Sequence, residues 1–172
     1  VGLAGVNEDG WISGDGGPLV VLQSGALPEW LGGSGPEPGL MLGGKVETDY
    51  DFICRCDDGG NVVERHGQAM LVLADCEMPA RFVSSPLGEL VIVQAYLGDG
   101  DVESLLSAAT SSPPSHTAPF ALTDGRLRLL VGADDRDGTV YGFAEAEAAP
   151  GDKTCNFWLS DGSLIVALRA RA

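Results

Sequence analysis

The sequence predicts an α+β fold that is β-rich, mostly antiparallel sheet with one or two short helices. Three observations lead there. Asp-Gly occurs seven times, beginning at Asp9, Asp15, Asp58, Asp99, Asp124, Asp137 and Asp161, and this pair supplies the positive-φ residues of tight turns between antiparallel strands. The segments between these turns are short and rich in branched and aliphatic residues, as strands are. Helical signals are scarce.

Taken in chain order, Leu19–Gln23 is a short apolar strand. Leu27–Leu31 forms one helical turn, with Pro28 tolerated at its start. Thr48–Cys54 is a turn leading into either a short helix or a strand. Ala69–Leu73 and Leu90–Tyr96 are aliphatic strands, and Asp101–Ala109 is the best helix, with Asp101 as its N-cap. Arg126–Val131, Val140–Glu147 and Leu164–Arg171 alternate more clearly. In the last, Leu164, Val166 and Leu168 face the core while Ile165, Arg169 and Arg171 face away.

Two segments read as surface loops: Gly32–Gly44, heavy in glycine and proline, and Thr110–Pro119. The second is where a C-terminal hairpin unit would separate. A remnant of about 53 strand-rich residues is too small to hold its own core, so one domain over residues 1–172 is expected.

The chain carries 25 acidic and 10 basic residues, a formal net charge of −15. Residues 1–60 hold ten acids against two bases, residues 61–119 seven against two, and residues 120–172 eight against six. The negative field therefore concentrates toward the N-terminal third. Such a chain is repelled by nucleic acid phosphates and by anionic membranes, and suits a basic partner. No apolar run approaches the roughly 20 residues of a membrane span. Four cysteines are too sparse for a disulfide scaffold, and Cys54-Arg55-Cys56 has no second pair to complete a zinc site. Reduced thiols in a cytoplasmic protein, with no metal and no cofactor, are the expectation.

Catalytic motifs fail on inspection. In Asp134-Asp135-Arg136-Asp137-Gly138, an EF-hand register puts Ala133 at the first ligand position and Ala144 at the twelfth, so two essential ligands are missing and a polar hairpin turn is the reading. Glu145 and Glu147 share a strand face, a geometry that could pair carboxylates for glycoside chemistry. Cross-strand pairing with Arg126, Arg128, Arg169 and Arg171 accounts for them more simply. Ser34 misses the nucleophile-elbow spacing by one residue. Gly14-Asp15-Gly16-Gly17 precedes a strand where a phosphate loop should follow one. His66 reads as a strand-end residue and His116 as a loop residue. The chain does not look like an enzyme.

What remains is a set of aromatic residues amid acids. Trp11, Trp30 and Tyr50 lie in the most negative third, near Glu29, Glu47, Asp49 and Asp51. Tryptophan and tyrosine anchor many interfaces, and acids around them steer basic partners. Trp11 and the Gly16-Gly17-Pro18 turn read as structural, and Trp158, between Phe157 and Leu159, reads as core.

The run from Trp11 to Leu22, with its Gly16-Gly17-Pro18-Leu19, is followed by Leu27-Pro28, Trp30 and Gly32, then by Thr48-Asp49-Tyr50-Asp51 and Cys54, then by the glycine-led strand Gly67–Asp75. In this order the motifs resemble the start of the immunity protein 21 family of bacterial polymorphic toxin systems. The resemblance covers roughly residues 11–98, and is looser beyond Thr110. One departure is plain: the family pattern has an Arg-Ala pair between the Asp-Tyr-Asp and the cysteine, where Phe52-Ile53 stands here.

The resemblance implies a non-enzymatic inhibitor that binds a cognate toxin domain in the producing cell's cytoplasm. Many such toxins are nucleases with basic surfaces, and opposite charge would speed their capture. The expected contacts are Trp30, Glu47, Asp49, Tyr50 and Asp51. A small-molecule or carbohydrate-binding β domain, with tryptophans stacked on sugar faces, is the alternative. A weak hydrolase using Glu145 and Glu147 is a further one.

Overall fold

The computed structural model describes residues 10–14, 17–33, 47–56, 59–96, 101–134, 137–138 and 140–171. Ten strands run in chain order as β1 (Pro18–Gln23), β2 (Asn61–Arg65), β3 (Gln68–Asp75), β4 (Ala80–Val83), β5 (Leu90–Ala95), β6 (His116–Leu122), β7 (Arg126–Val131), β8 (Phe143–Glu147), β9 (Gly151–Ser160) and β10 (Ser163–Ala170). The helices are α1 (Asp49–Ile53), α2 (Val102–Thr110) and a 3-10 turn at Leu27–Glu29. Asp101 caps α2 through its carboxylate on the Glu103 N–H, as its position before the apolar face predicts.

The strands form two antiparallel five-stranded sheets. Sheet I has the order β2-β3-β1-β7-β8 and sheet II the order β4-β5-β10-β9-β6. Alternate side chains of both sheets meet in one inner core: Leu19 and Val21 of β1, Leu71 and Leu73 of β3, and Leu127 and Leu129 of β7 pack with Leu90, Ile92, Phe120, Phe157, Leu164 and Val166 of sheet II. The opposite faces are also covered. Val91, Val93, Ala95, Ile165 and Ala167 lie beneath α2, with Trp11 beside them. Val20, Leu22, Met70, Val72 and Leu130 lie beneath Trp30 and Ile53. Strands buried on both faces read as unbroken apolar runs, which is why Leu19–Gln23 and Leu90–Tyr96 show so little alternation.

Two buried glutamines bind the sheets together at inner-face positions. Gln23, at the end of β1, donates to the carbonyls of Ala69 in β3 (2.7 Å) and Ala121 in β6 (2.9 Å), and accepts from the Thr123 N–H (2.7 Å). Gln94 of β5 accepts from the Ala74 N–H at 2.8 Å and donates to the carbonyls of Ala74, Asp75 and Met78. Each glutamine is fully buried. The hydrogen bonds compensate for removing the amides from water.

Several expectations are corrected. Residues 116–119 are not loop: they begin β6, which pairs with β9 along its whole length. Strands from both sides of this segment mix in both sheets, β7 beside β1 and β10 beside β5. Of the Asp-Gly pairs within the described residues, 161–162 closes the β9–β10 hairpin and 137–138 lies in the β7–β8 connection. Asp124-Gly125 instead turns the chain from sheet II to sheet I. The β2–β3 hairpin is closed by His66-Gly67, with φ of 53° and 67°, the two positive values that a tight hairpin turn requires. Arg169 lies in sheet II, away from Glu145 and Glu147, and its guanidinium donates to the Leu87 carbonyl. Trp158 is half-buried on the outer face of sheet II rather than in the inner core. The greater part of the Gly32–Gly44 loop, Ser34 with it, and residues Asp15, Gly16, Asp135 and Arg136 lie outside the described residues.

Candidate functional site

The expected contact residues gather around α1, over the outer face of sheet I. Thr48 begins that helix with a reciprocal cap: its hydroxyl accepts the Asp51 N–H at 3.0 Å, and the Asp51 carboxylate accepts the Thr48 N–H at 3.2 Å. This arrangement satisfies two donors that a helix start otherwise leaves bare. A helix of one turn needs it, since so short a helix has little stability of its own.

The structure divides the five residues into two kinds. Trp30 and Asp49 are interior. Trp30 is fully buried and its indole N–H donates to the Asp134 carbonyl at 3.1 Å. Asp49 is 4% exposed, and its carboxylate accepts from Leu31 N (2.9 Å), Arg65 Nε (2.8 Å) and His66 Nε2 (2.8 Å). Neither presents a surface to a partner. A carboxylate so buried demands compensation, and donors from the segment after Trp30, from β2 and from the β2–β3 turn supply it.

Glu47, Tyr50 and Asp51 are partly exposed at the rim. Glu47 pairs with Arg55 and lies 3.8 Å from Arg65. A hydrogen bond with the Cys54 thiol, then burial, raises the Tyr50 phenol above its ordinary value of 10.0. The Tyr50 ring also packs where a Cβ on Gly17 would stand, 2.4 Å from Cε2, and Gly17 has a φ of +72°. Only glycine meets both conditions.

His66 is the centre of the local network. Its imidazole takes Asp49 on Nε2 and the exposed Glu29 on Nδ1 at 3.2 Å, with Trp30 edge-on at a centroid distance of 6.4 Å. Each ring nitrogen thus faces one carboxylate. These contacts hold a non-glycine residue in the left-handed region, which costs about 1–2 kcal/mol for an ordinary side chain. Spacing could not reveal this, since Glu29, Asp49 and His66 lie in three separate segments of the chain. The His-Gly pair between two apolar runs was the available signal. Four acids (Glu29, Glu47, Asp49, Asp51) face two arginines (Arg55, Arg65), a local balance of −2 with His66 left out. The acidity at α1 is thus milder than the sequence suggests.

Exposed apolar side chains occupy the same end of sheet I. Leu31 is 48% exposed and Val140 56% exposed. Asp134 links the two segments: its carbonyl takes Trp30, and its buried carboxylate takes the N–H groups of Val140 (3.2 Å) and Tyr141 (2.8 Å). Gly32 makes the close approach, because a Cβ there would stand 2.0 Å from the Asp134 carbonyl oxygen. The Tyr50 N–H in turn donates to the Gly32 carbonyl at 3.1 Å. Residue type alone does not separate Leu31 from Trp30: of two adjacent apolar residues in extended chain, only one points inward.

Elsewhere, Arg128 lies directly across from Glu145 at 2.6 Å, and Arg126 across from Glu147 at 3.9 Å, as cross-strand pairs on β7 and β8. Arg128 also covers the Phe143 ring at 3.9 Å. Cys155 is buried, which pushes its thiol up to about 12. Among the described residues no helix is long and apolar enough to cross a membrane, and no three His, Cys, Asp or Glu side chains are grouped to hold a metal ion. Compared with protein-family models, with curated proteins and with solved structures, the chain matches none.

Proposed function

We propose that this protein is a non-enzymatic inhibitor that binds a basic protein partner, a cognate bacterial toxin domain with a nuclease-like basic surface, in the cytoplasm of the producing cell. The observation that carries the reading is the surface around α1. Leu31 and Val140 are exposed and Glu47, Tyr50 and Asp51 partly exposed, and the Leu31 N–H is held by Asp49 of α1 and the Val140 N–H by Asp134. An apolar centre with a charged rim on a preformed base is the anatomy of a protein interface. The net charge of −15 supplies long-range attraction for a basic partner. The resemblance of residues 11–98 to the immunity protein 21 family supplies the class of that partner.

The test is to express the C-terminal domain of the protein encoded beside this gene in a bacterium, with and without this chain. Growth arrest relieved only by this protein supports the proposal. A toxic neighbour that this chain, well expressed, does not relieve refutes it.

A further inference from the structure

We infer that the outer face of sheet II carries a second site, independent of the one around α1, that binds a neutral saccharide on the indole of Trp158. The two sites lie on opposite outer faces of the sandwich, this one beside α2 and the other at α1.

The three tryptophans have separate fates. Trp11 is 5% exposed and Trp30 fully buried, so neither can stack on a ligand. Trp158 alone is partly exposed. Its indole N–H is committed to the Ser112 carbonyl at 3.1 Å, just beyond the end of α2. That bond fixes the ring as a platform before any ligand arrives, which removes an ordering cost from binding.

Two depressions share this ring in their lining. One, of about 280 Å³, is lined by Leu105, Ser115, Ser160, Ser163 and Ile165 together with Trp158. The other, of about 240 Å³, is lined by Leu87, Thr110, Asn156 and Arg169, again with Trp158. Ser112 belongs to both.

Their chemistry selects the ligand class. Neither lining includes an Asp or a Glu, in a chain with 25 acids. The depressions beside Arg126, Val62 and Cys54 all include at least one. The hydroxyls of Thr110, Ser112, Ser115, Ser160 and Ser163 and the Arg169 guanidinium each make one bond within the protein, and their remaining capacity, with the Asn156 amide, is what sugar hydroxyls would meet. Asn156 stands two residues before Trp158 on the same face of β9, and its amide has no partner among the described residues. The C–H face of a pyranose is weakly positive and meets the negative face of the indole. Two depressions that share one ring suit consecutive units of a chain.

The experiment titrates the protein with cellotetraose, chitotetraose and maltotetraose, by tryptophan fluorescence and calorimetry. Saturable binding with an emission shift is expected for at least one of them. Trp158→Ala should weaken it by about tenfold or more, with Trp158→Phe retaining part and Asn156→Ala losing part. Should Trp158→Ala fail to fold, Asn156→Ala carries the test, and unchanged affinity in that variant overturns the proposal. Absence of saturable binding by all three saccharides also overturns it, as does binding undiminished in a folded Trp158→Ala protein. If Trp158→Ala instead abolishes capture of a protein partner while no saccharide binds, the surface is a protein interface and the proposal falls.

Discussion

Asp49 shows how a residue chosen for its charge can turn out to be a bracket. Its carboxylate ties the chain after Trp30 to Arg65 and His66 of the β2–β3 hairpin. Breaking a buried pair by removing one partner costs about 3–5 kcal/mol, so Asp49→Ala should lower stability by about 3 kcal/mol in urea unfolding. Glu47→Gln removes a half-exposed partner and should cost under about 1 kcal/mol in the same assay. Cys155 gives a second prediction. Its folded value of about 12 lies above the ordinary 9.0, so the folded protein keeps a proton that the unfolded chain releases. Stability is therefore undiminished below pH 9.0 and falls as pH rises toward 12, by about 4 kcal/mol over the whole interval. Cys155→Ala should flatten this alkaline loss in unfolding curves measured across that range.

At the scale of elements, connections decide more than propensities. The β2–β3 hairpin depends on His66 and Gly67 both taking positive φ, and His66 is kept there by Asp49 and Glu29. The α1 turn depends on its reciprocal cap. The sheets depend on Gln23 and Gln94, whose buried amides bond backbone groups of the facing sheet. Gln94→Leu keeps the volume but strands the Ala74 N–H and three carbonyls, and should cost about 3 kcal/mol in urea unfolding. A loss under about 1 kcal/mol would mean that the staple is dispensable.

For the whole molecule, both outer faces of the sandwich are partly roofed, one by α1 and Trp30 and the other by α2. Among the described residues, Leu31 and Val140 stay exposed near the first roof and Trp158 partly exposed near the second. If the rim binds a basic toxin domain, Leu31→Asp and Val140→Asp should leave the melting temperature unchanged while speeding dissociation by about tenfold or more. Added salt should act differently, slowing association of the unaltered pair. Stopped-flow mixing separates the two effects.

Strand positions at Leu19–Gln23, Arg126–Val131 and Leu164–Arg171, and the capped helix after Asp101, were legible in the sequence because local apolar patterning and capping act over a few residues. So was the inward set Leu164, Val166 and Leu168, which follows from alternation alone. β6 was hidden by Pro119 within it and by the prolines and serines of residues 111–115 just before it, and its place in the sheet comes from β9 across from it. The sorting of Trp30, Asp49 and Trp158 between interior and surface was not legible, since burial depends on what a second element lays over each side chain. Residue type and spacing determined the secondary structure and the charge. The tertiary structure alone decided which aromatic and acidic groups became braces and which stayed open to a partner, because only contacts between distant segments remove a side chain from water.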